Sequence, residues 1–276
     1  MQLKSAIILS VVQGLTEFLP ISSSGHLVLI KVFLKTKEFI FYDLVVHLGT
    51  TAAIVLVYRE TIYIILRDSI YLPFASRDEK RAIRERGSVR LFGFIIMSTA
   101  VTGILGIIFR DTLKSFYFRA TLVPVFLIIN GFILISTTIV RRITGEGIID
   151  KRGIKPTHSL LIGATQAVAI IPGISRSGIT ISTALLSGFK NYLAPMYSFL
   201  LSVPSIWGAA IFEYMGNKKA SISAIRPSIY LISFILSFIV GFFSLKVLIK
   251  SILKAKIHVY GIYCIIAGIL FLIILR

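Results

Sequence analysis

Long apolar blocks separated by short basic loops set the pattern of this chain. Six blocks, residues 39–58, 91–109, 121–140, 193–215, 228–249 and 257–275, each come near the ~20 residues a helix needs to cross a bilayer. Two other stretches, residues 13–26 and 166–180, behave differently. Pro, Ser and Gly split each of them and its surroundings into two apolar runs of about 10–15 residues, too short to span. Such half-length pairs predict re-entrant helical hairpins that enter and leave on one side. Irregular backbone at that depth requires protein or a cavity around it. The order is hairpin, three spans, hairpin, three spans. An odd number of spans inverts the second half relative to the first. The predicted architecture is therefore an all-α polytopic membrane protein, one domain over residues 1–276. Its six transmembrane helices and two hairpins form an inverted-topology repeat of approximately 1–140 and 157–276, with the hairpins meeting near the midplane.

Residue identities point to the same repeat. A shift of 153 residues lays Gln13 on Gln166, Ile21 on Ile174, Ser22 on Ser175, Ser24 on Ser177 and Gly25 on Gly178. The shared core is Ile-Ser-x-Ser-Gly, in which x is Ser23 in the first copy and Arg176 in the second.

Composition strengthens the membrane reading. The chain is 56% hydrophobic with a mean hydropathy of +0.89, above what soluble domains carry. A net charge of +18 would suit nucleic acid, but the cations lie in short loops between apolar blocks. They read as topology signals and contacts with anionic membrane lipids, and no nucleic-acid partner is expected. One side carries Arg59, Arg67, the run from Arg77 to Arg90, Arg141, Arg142, Lys151, Arg152, Lys155, Lys190, Lys246, Lys250, Lys254 and Lys256. The other has fewer: Lys4, Lys31, Lys35, Lys37, Arg110, Lys114, Arg119, Lys218, Lys219, Arg226 and Arg276. The richer side is expected to be cytoplasmic, which turns both termini and the first hairpin outward. Residues 61–72 are amphipathic and suit the cytoplasmic interface. Residues 76–90 mix both signs and read as a solvated loop. The lone Cys264 permits no intrachain disulfide and reads as a small buried hydrophobe. The short first apolar run has no small-residue cleavage site after it, unlike a cleavable signal.

The candidate chemistry sits in the two broken stretches. Gln13 and Glu17 are four residues apart and share a helix face. A carboxylate and an amide oxygen are hard ligands suited to Mg²⁺ or Ca²⁺, with substrate phosphate and water completing the shell. Arg176 lies inside an apolar hairpin, where an arginine costs at least ~2.5–3.5 kcal/mol. Two readings stand for it: a structural bridge to Glu17, or a planar fork that binds phosphate bidentately. Ser175, Ser177, Gly178 and Thr180 surround it with hydroxyls, backbone N–H groups and a helix N-terminus, all suited to an anion. Ser22, Ser23 and Ser24 precede a helix, where serines act as caps. Three in a row exceed what capping needs, so one is a candidate nucleophile toward phosphorus. His26, one turn later, can reach back as acid or base. His47 and Asp43 are weaker candidates. His158 and His258 look like loop or interface residues.

The Pro-x-Ser-x-Ser-Gly-His run superficially resembles the signature of type-2 phosphatidic acid phosphatases. That family also needs a His where Ser182 stands. The two motifs together instead resemble the undecaprenyl-diphosphatase family linked to bacitracin resistance. Its first motif stands here as Gln13-Gly14-Leu15-Thr16-Glu17-Phe18-Leu19-Pro20-Ile21-Ser22-Ser23-Ser24-Gly25-His26. Its second stands as Pro172-Gly173-Ile174-Ser175-Arg176-Ser177-Gly178-Ile179-Thr180. Length and span number match over essentially the whole chain. The resemblance implies hydrolysis of a polyprenyl diphosphate to the monophosphate at the outer face of the cytoplasmic (inner) membrane, recycling the lipid carrier of cell-wall synthesis. It implies Gln13 and Glu17 at a metal or the chemistry, Ser22, Ser23 and His26 as nucleophile or base, and Arg176 on the phosphates. Gln13 stands where relatives can carry Glu, and Ser24 where they can carry Thr, so Glu17 is left as the main anionic ligand. A lipid flippase or a secondary transporter of an anionic substrate is the rival reading, because inverted repeats with broken helices are also transporter architecture. The Glu, Ser, His and Arg set favours an enzyme. A homodimer is left open.

Overall fold

A computed structural model describes residues 2–36, 40–109, 116, 120–216 and 225–274. Among them the protein is helical, with one isolated β-bridge, Ile149 to Phe189. The helices are α1 (Leu3–Phe18), α2 (Ser23–Leu34), α3 (Ile40–Val57), α4 (Arg59–Tyr71), α5 (Arg77–Arg86), α6 (Ser88–Ile108), α7 (Val123–Thr144), α8 (Pro156–Val168), α9 (Arg176–Leu186), α10 (Leu193–Gly216), α11 (Pro227–Leu253) and α12 (His258–Ile274). Among the described residues, α6, α7 and α11 are each long and apolar enough to cross a membrane, and α3 with α4 forms a fourth such stretch bent by 77°. The ends of two expected spans, Phe39 and Leu275, lie outside the described residues. So do Lys37, Arg110, Lys114, Arg119, Lys218, Lys219 and Arg276 of the outer-side cations.

Both motif stretches are broken helices, for reasons written in their residues. Pro20 has no N–H to continue α1, and it forces Leu19 into an extended conformation (φ −59°, ψ 139°). Ser22 then caps α2. In the second stretch α8 ends at Val168, Pro172 and Gly173 carry the turn, and Ser175 caps α9.

Each leading helix packs against the other half of the chain. α1 lies on α11, where the Ser244 hydroxyl donates to the carbonyl of Leu15 at 2.8 Å. α8 lies on α6, where Ser98 donates to the carbonyl of Ser159 at 2.8 Å and Thr102 to that of Gly163 at 2.8 Å. α3 packs on α11, α10 packs on α6, and α7 pairs with α12. The core between them holds Phe18, Tyr197, Phe189 and Phe199 fully buried, with Phe18 and Phe199 edge to face at 5.5 Å. Large apolar side chains such as Ile107, Phe243 and Ile273 point outward, as a bilayer-facing surface requires.

Residues 76–90 correct the sequence reading. They are not a solvated loop: α5 occupies Arg77–Arg86. Its reason is a capping box. The Glu79 N–H donates to Ser76 Oγ, and the Ser76 N–H donates to the Glu79 carboxylate at 2.8 Å. The buried Asp68 carboxylate anchors the helix to its neighbours through the hydroxyl of Ser88 at 2.6 Å and the guanidinium groups of Arg67 and Arg86. Residues 61–71 lie in α4, which turns sharply away from α3, and Leu72 caps its end.

Candidate active site

The two broken helices meet turn to turn. A side-chain carbon at Gly25 would stand 3.2 Å from the Gly173 backbone, and one at Gly178 would stand 3.2 Å from Pro20. A Cβ at either position would be in tighter than ordinary contact, so glycine eases this approach. These contacts are reciprocal under the 153-residue shift, which maps Gly25 to Gly178 and Pro20 to Gly173. Two helix N-termini, those of α2 and α9, therefore point their positive ends into one region.

At that junction Ser23 and Arg176 each occupy the first position of their helix, and both reach one carboxylate. Ser23 Oγ donates to Glu17 Oε2 at 2.6 Å. The Arg176 guanidinium pairs with Glu17 Oε1 through Nη2. The Glu17 side chain is 3% exposed and that of Arg176 is 23% exposed, so the arginine reaches from the surface of the site onto a buried charge. One guanidinium N–H group is engaged there. The rest of the fork has no hydrogen-bond partner among the described residues.

Gln13 completes the Glu17 surroundings. Its Nε2 donates to Glu17 Oε2 at 2.9 Å and to His47 Nδ1 at 2.8 Å. Its Oε1 is buried without a hydrogen-bond partner among the described residues. His47 Nδ1 also lies 3.5 Å from Glu17 Oε2. An orphaned amide oxygen beside a carboxylate is the right donor chemistry for a hard cation. However, among the described residues no three His, Cys, Asp or Glu side chains group to hold a metal. The donors therefore fit a cation shared with a substrate's oxygens, not one caged by protein alone.

The remaining candidates divide. Ser22 is buried and its hydroxyl is occupied: it accepts from the N–H groups of Gly25 at 3.3 Å and Gly173 at 3.1 Å. It holds the turn together. Ser24 Oγ lies 3.3 Å from Ser22 Oγ at the edge of the site. Ser175 caps Gly178 N at 3.1 Å and lies 3.1 Å from Ser177 Oγ. Thr180 is turned back into its own helix, donating to the carbonyl of Arg176 at 2.7 Å and meeting Ser198 at 2.6 Å.

Among the described residues His26 makes no hydrogen bond to Glu17. Its Nδ1 meets the Ser22 carbonyl at 2.8 Å, so Nδ1 carries a proton, and its Nε2 takes a hydrogen bond from the Tyr263 hydroxyl at 2.9 Å. Asp43 is engaged by Lys31 at 2.5 Å. Two residues gain weight from the packing. His47, a weaker candidate in the sequence, joins Gln13 and Glu17. Asn130, in the middle of α7, touches both turns; an amide inside an apolar block was the one sequence signal for it.

Comparison with known proteins places this geometry in a lineage. The family profile described as Bacitracin resistance protein BacA matches residues 6–270. The chain is 36% identical over 275 residues to an undecaprenyl-diphosphatase of Korarchaeum cryptofilum, covering 100% of both. It is 35% identical over 270 residues to one of Treponema denticola, covering 98% of this chain and 96% of that one. It is 36% identical over 264 residues to one of Alkaliphilus metalliredigens, covering 94% and 93%. On that match, the chain belongs to the BacA bacitracin resistance family.

Proposed function

We propose that this protein hydrolyses undecaprenyl diphosphate to undecaprenyl phosphate and inorganic phosphate, recycling the lipid carrier of cell-wall synthesis. The observation that carries the chemistry is the buried carboxylate of Glu17, with the Ser23 hydroxyl on one oxygen and Arg176 on the other. Ser23 attacks the terminal phosphorus while Glu17 takes its proton. The bond to the bridging oxygen breaks, the lipid monophosphate leaves with the proton passed on by Glu17, and the phosphoryl group rests on Ser23. Glu17, a carboxylate again, then takes a proton from the attacking water and gives it to the departing Ser23 oxygen, which releases inorganic phosphate and restores the serine. Arg176 turns its free N–H groups to the equatorial oxygens, where charge gathers in the transition state. In this scheme Glu17, not His26, is the base, and Ser22 shapes the turn.

Gln13 and Glu17 would hold Mg²⁺ or Ca²⁺ on the diphosphate. Bound there, the cation supplies charge neutralisation and Lewis-acid polarisation.

The architecture proposed with this function is six spans, α3, α6, α7, α10, α11 and α12, with α1–α2 and α8–α9 as re-entrant hairpins of an inverted repeat. The reciprocal contacts support it: each hairpin's leading helix lies on the second long helix of the opposite half, and Gly25 and Gly178 make matching approaches. The cytoplasmic side would carry α4, α5 and a mostly cationic cleft of about 690 Å³ lined by Arg77, Lys80, Arg81, Arg84, Arg90 and Arg152 together with Glu85. The active site would then open to the outer face of the cytoplasmic membrane.

Release of phosphate from farnesyl and undecaprenyl diphosphate by the purified protein in detergent tests the reading. Turnover abolished by Ser23→Ala is the expected result. No release by the wild type would reject hydrolysis and leave lipid or anion transport as the better account of the fold.

A further inference from the structure

Glu17, Ser23 and Arg176 come from two separate hairpins, so something must set the gap between them. Asn130 is fully buried in the middle of α7, where an amide needs every hydrogen bond it can make. Its Nδ2 donates to the carbonyl of Pro20 at 2.8 Å and to Cys264 Sγ at 3.3 Å, and its Oδ1 accepts from the Ser175 N–H at 3.0 Å. Pro20 lies three residues before Ser23, and Ser175 stands immediately before Arg176. One amide thus holds the backbone just upstream of both first-position residues. Among the described residues the turns are also linked by the Gly173 N–H on Ser22 Oγ at 3.1 Å and by the Ser177 hydroxyl on the Leu19 carbonyl at 3.5 Å.

We infer that Asn130 is a positioning residue for the phosphoryl transfer, fixing Arg176 against Ser23 and Glu17 by clamping the two turns together. The inference rests on the hydrolase reading above. It follows from how steeply such reactions depend on placement: a displacement of about 1 Å at a reacting group can cost ~10²-fold in rate. The amide is suited to the task because it offers a donor and an acceptor in a fixed plane. A leucine-filled span could pack the same helices, but it could not hold a carbonyl from one turn and an N–H from the other.

The test is steady-state kinetics of Asn130→Ala and Asn130→Asp on undecaprenyl diphosphate, with thermal unfolding in detergent as the check on folding. For Asn130→Ala, kcat should fall by ~10²-fold and KM should stay within about threefold. In a cycle with Arg176→Lys, the double variant should lie within about threefold of Arg176→Lys alone, because the clamp acts through that arginine. Asn130→Asp keeps the shape and the acceptor for Ser175. It can donate to Pro20 only when protonated, so its kcat relative to wild type should rise as pH falls. That readout survives even if the alanine variant fails to fold. A kcat near wild type in Asn130→Ala, losses that multiply in the cycle, or an Asp variant with a pH-independent deficit would each overturn the inference. Inactivity of the wild type on this substrate would instead sink the hydrolase reading itself.

Discussion

The two hairpin turns share a scaffold and divide the chemistry. In both, a serine caps the second helix through the N–H three residues on, at 3.3 Å for Ser22 and 3.1 Å for Ser175. In both, the cap's hydroxyl lies near that of the serine two residues later. In both, the first helical residue points at Glu17. The differences sit on top of that frame: Ser23 against Arg176, Glu17 against Ile170, and Pro20 against Gly173. In the proposed scheme the first turn supplies nucleophile and base, while the second supplies only the clamp for charge. Two copies of one turn can thus form an asymmetric site, because facing N-termini bring equivalent positions onto the same point.

Swapping or deleting the residues that differ should produce the largest effects. Ser23→Ala should abolish turnover, by more than ~10³-fold, while substrate still binds, since Glu17 and Arg176 alone cannot form the phosphoserine. Phosphate release and a lipid-binding measurement separate the two. Arg176→Lys keeps the charge and loses the fork, and should cost ~10²–10³-fold in kcat. Glu17→Gln keeps a hydrogen bond to Ser23 but cannot accept its proton, and should cost ~10²–10⁴-fold. Exhaustive chelation with EDTA should lower turnover and added Mg²⁺ or Ca²⁺ should restore it; full activity without metal would remove the cation from the scheme. His26→Ala should cost less than any of these, because the ring buttresses the Ser22 carbonyl and Tyr263 and does not touch Glu17. If it alone were dead while Ser23→Ala and Ser22→Ala stayed active, the serine would be the wrong nucleophile.

The same comparison explains what the sequence could and could not reveal. The breaks at Pro20 and at 172–175 are local, since proline, glycine and capping serine each act within a few residues. The Gln13–Glu17 face follows from helical spacing, and the equivalence of Ser23 with Arg176 follows from the 153-residue shift. The α5 helix was legible in principle: Ser76 and Glu79 stand at capping-box spacing, but the mixed charges around them outweighed that signal. His47 and Asn130 are different. Each joins the site only through packing of α3 against α1, or of α7 against both turns. His26 shows the converse. One turn from Ser22 it is well placed to serve the site, yet its Nε2 is engaged by Tyr263, 237 residues away in sequence.

The smallest expected effect tests the backbone on which the division rests. Ser22 adopts φ 68°, ψ 93°, in the left-handed half of conformational space, whereas its counterpart Ser175 has φ −82°. In the second turn the positive φ falls on Gly173 instead, at 104°. The matching position in the first turn is Pro20, which cannot take it, so the strain moves two residues on to a serine. A non-glycine residue held there costs about 1–3 kcal/mol. Replacing either serine by alanine removes a cap worth about 0.5–2 kcal/mol, and glycine at a cap loses less. Glycine should therefore outperform alanine at both positions, but by about 1 kcal/mol more at 22 than at 175, because only at 22 does it also relieve the backbone. Thermal unfolding of Ser22→Ala, Ser22→Gly, Ser175→Ala and Ser175→Gly in one detergent measures that difference directly. An equal glycine advantage at both positions would mean that Ser22 is unstrained, and that the two turns differ in side chains alone.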